Sequence, residues 1–280
     1  MKQIILTINI IAILVFPLLA QQTITLEPYM PKDSFLVGEP IDFGMTIVNA
    51  SNSTIKERFT KIVSFRILKE NNEDLPYKGR VMYNMSGLIL ELKPNEEINP
   101  IFDLIDLYGQ EYKNAALYLY IPTGKYSIEV TFSPLNMQQQ KINIPFKIIE
   151  PQGDNEIVYN TFIRLVTRKH TSSEEAEILE SLYHKYPNSV YMPFLLNVLE
   201  VCYGIKLNDY SKALAIKKEL VETYPSSNIA HQELEAVLKS MTNDAERIKY
   251  LEKIQTKSKG TFMGKVYENK IKAITAKEEH

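Results

Sequence analysis

The 280-residue chain has one cysteine, no tryptophan, four histidines and ten glycines, and each shortage removes a class of explanation. A single thiol, Cys202, forms no intrachain disulfide, so stability has to come from packed cores. The histidines, His170, His184, His231 and His280, build no His-Glu-x-x-His metal signature, and the glycines are too scattered for a phosphate-cradling loop. No Gly-x-Ser-x-Gly elbow marks a serine nucleophile. A surplus of one charge is missing as well. The formal net charge of −2 argues against a wholly basic nucleic-acid binder. Only from Arg247 to Lys277 does the balance tip, with nine Lys and Arg against Glu252 and Glu268, the pattern of solvated helix faces.

Long apolar runs are lacking beyond the first twenty residues. Those twenty, in "MKQIILTINIIAILVFPLLAQQ", place Lys2 first, then an apolar run from Ile4 to Leu19, then small Ala20 before Gln21 and Gln22. That is the order of a secretory signal peptide, and the run is short against the roughly 20 residues of a spanning helix. The expectation is cleavage after residue 20, an uncleaved anchor being the alternative, and a periplasmic or secreted mature chain with no transmembrane segment. No cysteine stands at the cleavage point to carry a lipid.

From residue 21 to 150 the apolar residues alternate. Ile41, Phe43, Met45 and Ile47 form one such set, Ile128, Val130 and Phe132 another, and Ile142, Ile144, Phe146 and Ile148 a third. Period two buries one face of each strand. Turn signals such as Gly38-Glu39-Pro40, Lys93-Pro94-Asn95 and Pro122-Thr123-Gly124 separate the runs. Roughly eight short strands predict an antiparallel β-sandwich, with Ile101–Asn114 read as a strand followed by a loop or helical turn. The stretches "FLVGEPIDFGMTIVNAS" and "IPTGKYSIEVTF" resemble the immunoglobulin-like sandwich domains of bacterial exported proteins. The resemblance implies a tyrosine corner at Tyr126, its hydroxyl bonding back to the backbone.

Residues 151–154 are polar and contain Gly153, as an inter-domain linker does. Beyond them the period becomes helical. Seven helices are expected, at about 155–169, 172–186, 189–206, 209–224, 227–241, 243–258 and 261–278. Ser172 with Glu175 reads as a capping box, Asn243 with Glu246 stands in a similar relation, and Asn208 or Asp209 can cap the fourth helix. The phrase Tyr-Pro-x-Ser occurs at Tyr186 and again at Tyr224. A shift of 38 also lays Leu182 on Leu220, Leu196 on Leu234 and Leu199 on Val237. Helix pairs that repeat an apolar face bury it by stacking. The segment "NDYSKALAIKKELVETYPSS" resembles a tetratricopeptide repeat (TPR), with Tyr210, Ala213, Leu220 and Pro225 at that family's aromatic, small, apolar and helix-ending positions. The period is longer than that family's, and no small residue is evident on the first helix of the pair. The resemblance implies a TPR-like α-helical solenoid over 155–280. The fold class expected is therefore multidomain, all-β followed by all-α.

Catalytic constellations are sparse. Cys202 lies on a mostly apolar helix and reads as core. His231 and Glu235 share a helix face as a surface pair, and Glu174, Glu175, Glu177 and Glu180 begin a helix, where carboxylates favour the dipole. Asn49, Asn52 and Asn84 head glycosylation sequons. The reading that remains is a non-enzymatic exported adaptor that binds a protein partner in the bacterial envelope, with no cofactor, no metal and no nucleic acid. In stacked helix pairs the first helix of each pair lines the binding surface, which makes Phe194, Asn197 and Glu235 candidate contact residues. The alternative is a carbohydrate- or peptide-binding accessory protein that uses the sandwich face around Tyr118 and Tyr120.

Overall fold

The computed structural model describes residues 24–78, 89–112, 115–133 and 139–278. The expected signal segment 1–20 and the sequon at Asn84 lie outside the described residues. Within them the chain is a mixed fold, strands first and then helices.

Two four-stranded sheets carry the first half. In one, β3 (Asp42–Asn49) is flanked by β1 (Ile24–Tyr29) and, on its other edge, by β7 (Glu97–Ile98) and β8 (Ile101–Asp103). The other runs in the order β2 (Ser34–Leu36), β12 (Gln140–Ile149), β11 (Gly124–Phe132), β5 (Val63–Lys69). Two smaller pairs add β4 (Ile55–Arg58) with β6 (Ile89–Leu92), and β9 (Gln110–Tyr112) with β10 (Ala115–Tyr120). A short helix, α1, covers Phe59–Ile62. The stretch from Ile101 becomes strand β8, helix α2 (Leu104–Tyr108) and strand β9. The expectation of an all-antiparallel arrangement is corrected at one edge, where β2 pairs β12 in parallel, Ser34 opposite Lys147 and Leu36 opposite Ile149. β1 and β2 are joined by residues 30–33 and lie in different sheets, so they form no hairpin.

Alternation holds on β11, where Tyr126, Ile128, Val130 and Phe132 are buried and the residues between are not. The Tyr126 hydroxyl donates to Pro122 O at 2.8 Å, the bond back to the backbone expected there. Alternation fails on β3, which buries Gly44 and Thr46 along with Phe43, Met45 and Ile47. Both faces of this strand are covered, one by the core of the β half and the other, at Gly44, by Phe262 of the helical half. Asn49 is buried too, its amide donating to Ser53 O and Leu92 O at 2.8 Å each. That sequon is therefore a structural tie.

Seven helices follow: α3 (Asp154–Thr167), α4 (Ser172–Lys185), α5 (Met192–Val201), α6 (Tyr210–Thr223), α7 (Asn228–Lys239), α8 (Asp244–Lys257) and α9 (Phe262–Glu278). A π-helical turn, Cys202–Lys206, extends α5. The caps at Asp209 and Asn243 form, each side chain accepting a backbone N–H three residues on. The capping box shifts by one residue. Thr171 takes the Glu174 N–H and Glu174 returns a bond to Thr171 N at 2.8 Å, while Glu175 pairs with Lys206 at 2.5 Å. The spacing was right and the register was not, because Thr171 and Ser172 offer the same chemistry three residues before a glutamate.

The repeated phrase has the same geometry in both copies. Tyr186 and Tyr224 cap their helices with nearly identical backbones, φ −131° and ψ 53° against φ −123° and ψ 50°. Ser189 N bonds Tyr186 O and Ser227 N bonds Tyr224 O, each at 3.0 Å. Tyr224 OH ties the second copy to the first by donating to Pro187 O, and Tyr267 OH of α9 ties that helix to the second copy by donating to Pro225 O, both at 2.6 Å. Gly204 lies on the π turn, where a Cβ would stand 3.3 Å from that of Ala213. Three of the nine basic residues from Arg247 on pair with neighbouring elements: Lys253 with Glu222, Lys265 with Glu97 and Lys270 with Glu235.

Candidate binding cleft where sheets meet helices

The helical half meets the sheets mainly through helix N-termini. Tyr191, at the N-cap of α5, donates its hydroxyl to Val37 O at 2.8 Å. Asn228, the first residue of α7, donates its N–H to Asp42 Oδ2 at 2.9 Å. Phe262, the first residue of α9, stacks on Tyr29 with ring centres 4.9 Å apart. Its ring fills the place that a side chain on Gly44 would take, since a Cβ there would lie 2.8 Å from the ring carbons. Further along α9, Asn269 and Lys265 both reach Glu97. Of the helices expected to line a groove, α5 and α7 hold the chain's own β half at their N-terminal ends.

The sheet face at this seam is acidic. Asp42 on β3 lies opposite Asp103 at the end of β8. Asp103 caps α2, its Oδ1 accepting Ile105 N at 2.9 Å and Ile41 N at 3.4 Å. Asp42 Oδ1 is buried and has no hydrogen-bond partner. Burial pushes the Asp42 carboxyl up to about 6, although the Asn228 N–H pulls the other way and Glu39 adds repulsion. Enclosure raises Asp103 well above the usual carboxylate range, with Asp106 and Asp42 reinforcing it. Glu39 is satisfied separately, by Lys32 at 2.5 Å and by Leu36 N at 2.9 Å. The electrostatic frame is thus carboxylates turned toward helix N-termini, where the dipole is positive. For Asp42 and Asp103 the desolvation outweighs that attraction.

Beside these carboxyls lies a partly enclosed cleft of about 70 Å³. Tyr159 and Phe162 of α3, together with Tyr191 and Phe194 of α5, supply its aromatic wall. Tyr159 and Tyr191 stack at 5.6 Å, and Phe162 meets Phe194 edge-on at 5.3 Å. Asp103, Asp106 and Leu119 close the sheet side. The Tyr191 hydroxyl, enclosed and bonded to a carbonyl, has its ionisation pushed far upward by burial.

Of the residues singled out in the sequence, the cleft takes Phe194 alone. Asn197 is half-buried one turn further along α5, and Glu235 is exposed on α7, engaged by Lys270. Tyr120 ends β10 half-buried against the sandwich core. Tyr118 precedes it on the same strand, and its side chain lies outside the described residues. Sequence reasoning missed Asp42, Asp103, Tyr159 and Tyr191. The available signal was Gly44, a glycine inside an alternating strand, which marks close approach by another element. Cys202 is buried with its thiol donating to Ser172 O at 3.2 Å, and burial raises its ionisation. His231 is more enclosed than the surface pair expected. Burial and Lys270 push its imidazole down, and Nδ1 is buried without a hydrogen-bond partner. Among the described residues no cluster of three His, Cys, Asp or Glu is placed to hold a metal, and no helix is long and apolar enough to cross a membrane.

No family model matches the chain, and no curated protein matches it. Solved structures give weak likenesses. A β-glucosidase from Listeria innocua in complex with gluconolactone aligns over 45% of this chain and 16% of its own, at 15% identity and a TM-score of 0.30. The CARDB domain of the PF1109 protein from Pyrococcus furiosus, in complex with di-metal ions, aligns over 46% of this chain and 94% of its own, at 13% identity and 0.28. The C-terminal domain of wzt aligns over 48% and 77%, at 10% identity and 0.28. The chain thus spans about one sixth of the glucosidase it aligns with. Likenesses at this level carry no argument about function.

Proposed function

We propose that the chain is an exported, non-enzymatic binding protein of the bacterial envelope, an immunoglobulin-like sandwich docked on a TPR-like stack that engages a protein partner. The observation that carries this reading is the serial tie Tyr224 to Pro187 and Tyr267 to Pro225. A tyrosine hydroxyl from the end of α6 and another from within α9 each bond the carbonyl of the preceding Tyr-Pro turn, which joins successive helix pairs as stacking does. Such scaffolds present side chains along a helix array to a partner. The sandwich takes up the N-terminal ends of α5 and α7, so the partner surface begins about two turns on. There Asn197 and Glu235 occupy the same position in two copies, 38 residues apart.

The test is cross-linking capture from envelope fractions with the chain starting at Gln21, next to its Asn197→Ala/Glu235→Ala double variant. The expected outcome is a protein partner held by the parent and lost by the double variant, with thermal stability changed by no more than about 0.5 kcal/mol. Equal capture by both variants would remove this surface. A parent chain that retains Met1 and fractionates with the cytosol would remove the export reading.

A further inference from the structure

The cleft beside Asp103 has a chemistry that the adaptor reading does not use. Its wall is aromatic, and the charged residues that line it are Asp103 and Asp106, both acidic. Asp103 is enclosed, and both backbone N–H groups it accepts fall on Oδ1. Behind it Asp42 presents a second enclosed carboxyl, with Oδ1 unpartnered. Of the lysines nearby, Lys32 is committed to Glu39, and Lys78 lines an adjoining pocket with Asp106 and Leu119 rather than the cleft itself. Two adjacent enclosed carboxyls with no cation bonded to either leave a demand for positive charge. On the cleft's own wall the opposing influence is the N-terminus of α5, worth about half a positive charge. It is weakened because Pro193 has no N–H and the Met192 N–H is already bonded to Ser189 O. A full carboxylate outweighs it, and aromatic rings add attraction for a cation.

We propose that this cleft takes the head group of an alkylammonium ion, paired with Asp103 and flanked by Tyr191 and Phe194. The space of about 70 Å³ is roughly half of the ~150 Å³ cavity that holds benzene, so it admits a compact head and short stem and not an aromatic ligand. The groups around Asp103 are Asp42 from β3, Asp106 from α2, and Tyr159 and Tyr191 from the helices, with Glu39 beyond and held by Lys32. Enclosure opposes ionisation of Asp103, and an ammonium held against it favours the carboxylate. Binding therefore releases protons where the unliganded carboxyl is still protonated, and it tightens as pH rises through that range. The inference stands apart from the envelope reading. The ammonium can belong to a free amine or to a lysine side chain, and the experiment separates the two.

The full chain is titrated calorimetrically with n-butylammonium at pH 5 and pH 8, in two buffers of different ionisation enthalpy, with 1-butanol as the neutral isostere. The expected result is saturable binding that is tighter at pH 8 than at pH 5, with net proton release that accounts for the difference. Asp103→Asn should weaken it about tenfold or more, and butanol should not compete. Should Asp103→Asn fail to fold, the pH and buffer dependence of the unaltered chain decides alone. N-acetyl-lysine methylamide binding as tightly as butylammonium points to a polypeptide lysine, and weaker binding points to a free amine. No saturation by butylammonium, equal binding of butanol, or binding without proton release overturns the proposal.

Discussion

Asp42 shows how a residue that looks outward in the sequence becomes an internal cost. It sits between Ile41 and Phe43 in an alternating strand, where period two assigns it to solvent. The fold instead covers it with the start of α7, and its carboxyl moves from 3.8 to about 6. A raised carboxyl favours the folded state below its unfolded value, and that contribution is lost as pH rises through about 6. The penalty above that pH is at most about 3 kcal/mol, by the usual conversion of pKa shift to free energy. Asp42→Asn keeps an oxygen to accept the Asn228 N–H and removes the charge. Chemical denaturation should find this variant more stable than the parent by about 1–3 kcal/mol at pH 7.5, with the gain vanishing near pH 4. A variant less stable at pH 7.5 would mean that the ionised carboxylate holds the seam. At the same scale, Tyr267 is fully buried and Tyr224 half-buried, and each donates to a proline carbonyl. Tyr267→Phe strands a buried acceptor and should cost about 1–3 kcal/mol, against about 1 kcal/mol or less for Tyr224→Phe. Melting curves that rank them the other way would contradict the serial tie.

At the scale of elements, β3 and α9 depend on each other through one missing side chain. Gly44→Ala sets a methyl 2.8 Å from the Phe262 ring, an overpacking that typically costs 1–3 kcal/mol. Phe262→Ala removes the obstacle, so the double variant should be more stable than additivity predicts by about 0.5 kcal/mol or more. Additive losses in that cycle would place Phe262 away from the strand. The elements themselves were largely legible in the sequence. The seven helices, the caps at Asp209 and Asn243 and the Tyr126 bond follow from signals within a few residues of each other. What was not legible comes from contacts far apart in sequence. The parallel edge β2–β12, the second buried face of β3 and the Tyr191–Val37 bond join residues about 110 to 220 positions apart. Local periodicity carries no record of such partners. The capping box slipped for the opposite reason, because two adjacent residues offered equal local chemistry.

For the whole molecule, the account rests on the β half being docked on the N-terminal ends of α5, α7 and α9. Its candidate cleft and its partner surface both follow from that placement. The connecting segment gives access for a direct test. Gln152, Gly153 and Asp154 are exposed, while Asn155 is already fixed by Ser189 and Val190. Limited proteolysis should therefore cut first at Gln152–Asp154. A seam held by Phe262 on Tyr29, by the Tyr191 hydroxyl and by Lys265 on Glu97 should keep the pieces together after the cut. The most direct measurement is size-exclusion chromatography of the nicked protein combined with zero-length carbodiimide cross-linking and peptide mapping. The account predicts that the two fragments co-elute as one particle and that Lys265 is joined to Glu97, whose charged groups lie 3.2 Å apart. Fragments that separate on nicking, with no link between Lys265 and Glu97 in the intact chain, would contradict it.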